Sequence, residues 1–200
     1  CVDAVVDAMK ILKIPVISGK DSLSSTYRGK DGTVIAIPPV LCMSVFGRIP
    51  DASKTISSDF KKAGSIICLL GKPDFDNMGG SVYFDTQKLL GKNIPHVDLK
   101  SLSHIAKVLF NAAKKRKILA SHDISEGGMV TALFEMGIGG NIGAEIDVAK
   151  IGKARSDYIL FNETCHWNRF YKIHFSFAES FFRRNFNSFF LADVHACNSF

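Results

Sequence analysis

Hydrophobic positions recur at helical spacing in two long segments of the chain. Residues 2–12 and residues 98–117 each place most of their apolar side chains on one face, and this spacing predicts two amphipathic α-helices. Asp98 stands directly before the second apolar stripe and is expected to cap that helix. A third helix is predicted from about residue 127 to residue 137, where apolar residues follow a pair of glycines.

Apolar and β-branched runs between these helices predict strands. The runs occupy residues 15–19, 33–37, 40–49, 65–71, 118–121 and 144–148. Because strands alternate with helices in the second part of the chain, the order of elements predicts an α/β fold with some parallel pairing.

Composition divides the chain further. Residues 51–64 are polar and rich in turn formers, so they are predicted to link residues 1–50 to a second domain at 65–163. Residues 164–200 differ, because from Cys165 onward they hold nine of the sixteen Phe, lack Gly and Pro, and keep neither apolar period. We interpret this tail as an aberrant terminus, for which a shifted reading frame is one explanation.

Charge and composition argue against several classes of protein. No run of about 18 apolar residues occurs, so no transmembrane helix is expected. The chain starts without a basic signal-peptide segment and without Met, and we expect a fragment or a processed piece. Five Cys without a CxxC pair favour a reducing, cytoplasmic setting. The net charge is +6, but the one dense basic cluster, 114–117, lacks an aromatic platform, so no nucleic-acid partner is expected.

Asp123 and Ser125 are the first candidates for a binding site. They stand between a predicted strand and a predicted helix, directly before Gly127 and Gly128. A helix N-terminus attracts phosphate, glycines let the backbone approach an anion, and a carboxylate can hold Mg²⁺ against phosphate oxygens. The alternative is that Ser125 only caps the helix and Asp123 is a solvated loop acid. Spacing alone leaves both open.

Two further loops combine glycine with polar residues. Residues 18–25, SGKDSLSS, follow a predicted strand and have the chemistry of a phosphate-binding loop, although Ile14 stands where a Walker A loop needs Gly. A polar hairpin is the alternative. Residues 76–84 hold a third glycine-rich turn, for which a tight turn is the default interpretation. Three such loops together favour a phosphorylated ligand.

The same motifs resemble a known family. The blocks GKDS, IPP, GGS and HDISEGG, in this order and spacing, are similar to the second homologous half of phosphoribosylformylglycinamidine synthase. The resemblance covers roughly residues 1–163. It implies an α/β fold of an α+β sandwich type. In it, residues 1–50 end an aminoimidazole ribonucleotide synthetase N-terminal-like domain, and residues 65–163 form a C-terminal-like domain.

The resemblance also implies a reaction. The family converts formylglycinamide ribonucleotide, ATP and glutamine-derived ammonia into formylglycinamidine ribonucleotide in purine biosynthesis. The cofactors implied are Mg²⁺ and ATP or ADP, and the partners are the first half of the synthase and a glutaminase. Because the family's catalytic His lies in that first half, no catalytic residue is assigned here, and the chain alone is expected to be inactive. The alternatives are a related ATP-dependent synthetase or kinase and an inactive remnant that binds nucleotide.

The family's binding roles carry over to matching positions of this chain. Asp123 matches the magnesium ligand and Ser125 a nucleotide contact. In the loop at 18–25, the resemblance points to Gly19 and Lys20 for nucleotide, and to Asp21 and Ser22 for substrate.

Overall fold

The computed structural model describes residues 1–20, 26–36, 38, 40–71 and 73–164, together with the backbone of three later strands. Those strands are Asn168–Lys172, Phe189–Ala192 and Ala196–Cys197. The chain forms two compact units, Cys1–Pro50 and Asp51–Phe200. Within the described residues, no helix has both the length and the apolar character that crossing a bilayer requires.

The first unit contains one helix and one short hairpin. Helix α1, Val2–Leu12, confirms the predicted helix and ends at Lys13, whose φ of 58° is left-handed. Strands β1, Tyr27–Arg28, and β2, Val34–Ile35, pair antiparallel. Asp31 fixes the turn between them, since its carboxylate accepts hydrogen bonds from the amide and the hydroxyl of Thr33 at 3.0 and 2.8 Å.

The strands predicted at 15–19 and 40–49 are wrong. Neither segment forms a strand, and none of the described residues of this unit is buried. Val40 and Phe46, for example, are 77% and 82% exposed. An apolar run becomes a strand only when a neighbouring strand satisfies its backbone, and these runs lack that ladder within the described residues.

The second unit is a four-stranded sheet with helices on both faces. Its sheet strands are β3, Ile66–Leu70, β4, Ala120–Asp123, β6, Asn168–Lys172, and β7, Phe189–Ala192, in the order β4-β6-β3-β7. Its helices are α2, Val82–Thr86, α3, Leu99–Lys114, α4, Gly128–Gly140, and α5, Ser156–Phe161. A separate pair joins β5, Gly143–Ala144, to β8, Ala196–Cys197. Single 3₁₀ turns occupy Ala52–Lys54 and Val148–Lys150.

The predicted parallel pairing is wrong for the described strands. Every ladder among them is antiparallel. Strands β3 and β4 run in the same direction, as a strand–helix–strand order predicts, but β6 lies between them and pairs with both. The order of elements therefore predicted correctly that β3 and β4 run in the same direction, but it predicted incorrectly that they are neighbours in the sheet.

Alternation along β3 builds two cores. Because successive strand side chains point to opposite faces, Ile67 and Leu69 join one cluster and Cys68 and Leu70 join the other. The first cluster includes residues of α4 and α5, and the second includes residues of α3. Segment 51–64, predicted as a linker, lies within this unit, and its Phe60 is 1% exposed in the first cluster.

Local sequence signals predicted α3 and α4 correctly. Asp98 caps α3 as predicted, since its carboxylate accepts from the amides of Lys100 and Ser101 at 3.1 Å. The predicted helix near 127–137 is confirmed and extends to Gly140, followed by Asn141 in a left-handed C-cap. Helices α2 and α5 were not predicted, because five or six residues are too few to show helical periodicity.

Candidate functional site

The candidate site is the β4–α4 turn, residues 123–127, which includes the last residue of β4. Strand β4 ends at Asp123, and α4 begins at Gly128. Ile124 anchors the turn because its side chain is buried at 1% exposure, whereas Ser125 is exposed. The β4–α4 turn thus offers a carboxylate and a hydroxyl to solvent at the edge of the sheet.

Asp123 has an accessible carboxylate beside a packed histidine. The Asp123 side chain is 69% exposed, and its Oδ1 lies 3.6 Å from Nδ1 of His122. The His122 ring, 16% exposed, places Nε2 3.1 Å from a carboxylate oxygen of Glu135 and Nδ1 2.7 Å from the Asp123 carbonyl oxygen. His122 therefore holds the end of β4 against α4 and leaves the Asp123 carboxylate open to a ligand.

Ser125 does not cap α4, so the part of the alternative that made it a helix cap is wrong; the part that made Asp123 a solvated acid agrees with its exposure. The N-cap is Gly127, which has no side chain of its own to accept a capping hydrogen bond. The backbone of Ser125 instead closes the turn, since the Gly128 amide donates to its carbonyl oxygen at 3.0 Å. The Ser125 side chain is left on the exposed side of the turn, which suits contact with a ligand.

The glycine pair has a structural explanation. Gly127 and Gly128 both have a left-handed φ, +76° and +69°, which only glycine adopts at little cost. A Cβ atom on Gly128 would lie 2.5 Å from the carbonyl carbon of Phe161. Both amides donate to protein oxygens, that of Gly127 to Oε1 of Glu163 at 2.8 Å. These two amides are therefore not the groups that would hold a phosphate here.

Glu163 is a residue that sequence reasoning missed. Its Oε1 accepts a second hydrogen bond from the amide of Val82, at 2.9 Å. Glu163 lies 36 residues from Gly127 and 81 residues from Val82 in the sequence. No local spacing relates such distant positions, so no sequence signal was available.

The glycine turn before α2, residues 79–81, is a tight turn, which confirms the default interpretation. The amide of Gly79 donates to the carbonyl of Asn93 at 2.7 Å, and that of Gly80 donates to Leu90 at 2.8 Å. Ser81, 2% exposed, caps α2 through the amide of Phe84. The polar groups of this turn therefore form hydrogen bonds within the protein.

The remaining candidates belong to the first unit. Gly19 and Lys20 are exposed, and a Cβ atom on Gly19 would meet nothing within 4 Å. Asp21 and Ser22 lie outside the described residues. The roles assigned to all four remain predictions.

The described residues fit a metal ion held jointly by the protein and a phosphorylated ligand better than one held by protein side chains alone. Among them, no three His, Cys, Asp or Glu side chains come close enough to hold a metal. Mg²⁺ is often bound by only one or two carboxylates, with phosphate oxygens and water completing its shell. The exposed carboxylate of Asp123 fits that chemistry, in which a phosphorylated ligand supplies further oxygens.

Comparison with known proteins supplies a family. Residues 62–167, more than half of the chain, match "AIR synthase related protein, C-terminal domain". The PurL subunit of phosphoribosylformylglycinamidine synthase from Thermoplasma acidophilum is 33% identical over 81% of this chain and 20% of its own length. The human synthase is 33% identical over 73% of this chain and 11% of its own. The chain thus spans a fifth or less of these two relatives.

Solved structures of PurL from T. maritima share the fold. The one complexed with FGAR has a TM-score of 0.60 at 15% identity, covering 72% of this chain and 26% of that one. The one complexed with ATP has a TM-score of 0.58 at 13% identity, covering 74% and 24%. The predicted α/β class and the resemblance to the synthase family are confirmed. The chain therefore belongs to the AIR synthase related protein family and carries its C-terminal domain.

Proposed function

We propose that this chain is part of an ATP-dependent C–N ligase, phosphoribosylformylglycinamidine synthase. In this proposal, Asp123 and Ser125 bind a magnesium–nucleotide complex. The proposal rests above all on one observation: both side chains are exposed on the β4–α4 turn of the matched domain. The names of the relatives support the reaction, and PurL complexes with ATP and FGAR support the two ligands.

The chemistry needs groups that hold phosphates rather than a reactive side chain. ATP would transfer a phosphoryl group to the amide oxygen of formylglycinamide ribonucleotide and leave as ADP. Ammonia from glutamine would then displace that group as phosphate. Bound Mg²⁺ would neutralise the phosphate charge. In the second unit, Asp123 would ligate the ion and the Ser125 hydroxyl would orient the nucleotide. In the first unit, the resemblance assigns phosphate contact to Gly19 and Lys20, and substrate contact to Asp21 and Ser22.

The rest of the reaction would depend on partners. The first half of the synthase would supply the catalytic His, and a glutaminase would supply ammonia. We place the reaction in the cytoplasm. The described cysteines, Cys1, Cys42 and Cys68, are free thiols, which agrees with a reducing compartment.

A second candidate is a nucleotide site that supports the fold without turnover. One observation favours it: the amides of Gly127 and Gly128 donate to protein oxygens instead of facing a reacting phosphate. In this case the chain binds ADP and Mg²⁺ but releases no phosphate from ATP. Mixing the chain with the first half of the synthase, formylglycinamide ribonucleotide, ATP and an ammonium salt separates the two: the catalytic version predicts phosphate release that is lost in Asp123→Asn, whereas the structural version predicts none that depends on Asp123.

Isothermal titration of the full chain with ADP, with and without Mg²⁺, tests the binding site. We expect binding that requires Mg²⁺. In Asp123→Asn it should weaken about tenfold or more, because contacts to charged groups contribute about 1.5–3 kcal/mol. Ser125→Ala removes a neutral hydrogen bond and should weaken binding about three- to tenfold.

The matched control is Glu145→Gln, which removes one exposed carboxylate from the same unit. It should bind as the unaltered chain does. Absence of Mg²⁺-dependent binding in the unaltered chain, or equal affinity in Asp123→Asn, would contradict the assignment.

A further inference from the structure

One carboxylate oxygen joins two turns that are distant in sequence. Oε1 of Glu163 accepts from the amide of Val82 at 2.9 Å and from the amide of Gly127 at 2.8 Å. Val82 is the first residue of α2, and Gly127 is the N-cap of α4. Hydrogen bonds to a charged acceptor are stronger and more directional than neutral ones. Glu163 therefore clamps the start of α4 to the start of α2.

The backbone that carries Glu163 is itself held firmly. Its neighbours Asn162 and Thr164 are 2% and 0% exposed. The side-chain amide of Asn162 donates to the carbonyl of Asp74 at 2.8 Å, and its oxygen accepts from the amide of Thr164 at 3.1 Å. Because both neighbouring residues are buried and hydrogen-bonded, the backbone of Glu163 is fixed, and so is the direction in which its side chain points.

The other end of the clamp lies close to the candidate ligands. Gly127 follows Ser125 by two residues, and the next amide, that of Gly128, is bonded to the carbonyl of Ser125. Gly128 also packs against the backbone of Phe161, two residues before Glu163. A shift of Glu163 would therefore move the turn that presents the Ser125 hydroxyl.

We propose that Glu163 is a positioning residue for the nucleotide site at Asp123 and Ser125. Its carboxylate sets the orientation of the β4–α4 turn through the Gly127 amide and does not itself touch the ligand. This inference rests on the proposed function. It adds that Glu163 affects nucleotide binding indirectly. Its oxygen accepts a hydrogen bond from the turn, and its charge is not needed for this role.

Two substitutions separate the acceptor from the charge. Glu163→Gln keeps an oxygen that can accept from Val82 and Gly127 and removes the negative charge, whereas Glu163→Ala removes both. For magnesium–ADP, titration of the full chain should give about tenfold weaker binding in Glu163→Ala, because the Gly127 amide loses its acceptor and the turn would then take up the binding orientation only about a tenth of the time. Glu163→Gln should bind within about threefold of the unaltered chain.

A matched variant controls for general loss of stability. Val108→Ala lowers stability in the core that α3 forms on one face of β3, a different cluster from the one that contains α4. We expect it to melt at a lower temperature yet bind magnesium–ADP normally. Hydrogen exchange gives a readout that needs no nucleotide: the amides of Val82 and Gly127 should exchange faster in Glu163→Ala and stay protected in Glu163→Gln.

The outcomes distinguish this inference from the proposed function. If the unaltered chain binds magnesium–ADP and Glu163→Ala binds it equally well, the positioning role is refuted and the proposed function stands. Equal loss of binding in Val108→Ala would also refute it, because stability alone would then explain the effect. If the unaltered chain binds no magnesium–ADP, both fail, and the exchange data report only whether the clamp forms.

Discussion

Replacing Asn162 by alanine should destabilise the second unit more than any exposed Asn→Ala change. Asn162 is 2% exposed and joins the end of α5 to the loop after β3. Without it, the amide of Thr164, a residue that is 0% exposed, loses its acceptor. An unsatisfied buried donor costs about 1–3 kcal/mol. The carbonyl of Asp74, which is only half-buried, loses a hydrogen bond with a net contribution of about 0.5–1.5 kcal/mol.

Together these losses predict a decrease of about 2–4 kcal/mol in the free energy of unfolding. That is a large fraction of the 5–15 kcal/mol, roughly, that stabilises a domain. At a urea dependence of about 2 kcal/mol per molar, the midpoint should fall by about 1–2 M. Since no described residue of the first unit is buried, the cooperative transition reports on the second unit.

Urea titration followed by far-ultraviolet circular dichroism measures this change. Asn111→Ala is the control, because Asn111 is exposed on α3 and its replacement should stay within about 0.5 kcal/mol of the unaltered chain. A loss below about 1 kcal/mol in Asn162→Ala would refute the reasoning. It would mean that water replaces the hydrogen bonds of Asn162 at little cost.

Two further predictions concern backbone strain and acid titration. Gly128→Ala should lower the melting temperature more than Gly64→Ala, because both positions have a left-handed φ but only the first would place Cβ against Phe161, 2.5 Å from its carbonyl carbon; equal losses would contradict this. The hydrogen bond from Lys61 lowers the pKa of Asp59 from its usual 3.8 to about 2. The stabilising effect of this ionised pair is therefore present above pH 3.8 and is lost as the pH falls toward 2. Lys61→Met should raise that pKa in an NMR titration, and an unchanged value would refute the cause.

The strongest local patterns predicted elements correctly, for identifiable reasons. The apolar stripe of α3 and the carboxylate of Asp98 act within one or two turns, so the sequence contains the whole interaction. The apolar run of β3 was placed correctly because it is buried on both faces. The opposite holds for residues 40–49, which are as apolar as a strand but have no ladder partner among the described residues.

The candidate site divides in the same way. The sequence alone selected Asp123 and Ser125, because a strand end followed by a glycine pair is a local motif. Only the tertiary structure showed that Gly127, not Ser125, caps α4, and that the amide of Gly127 donates to Glu163.

The sequence by itself determined the three long helices of this protein, α1, α3 and α4, the apolar face of α3 and the family to which the chain belongs. The tertiary structure decided which strands are neighbours, as with β6 between β3 and β4, and which distant residue holds the β4–α4 turn. The physical reason is that the spacing of apolar residues within a segment indicates its secondary structure and the face that it can bury. Hydrogen bonds between segments far apart in the chain depend on where each one comes to lie in space.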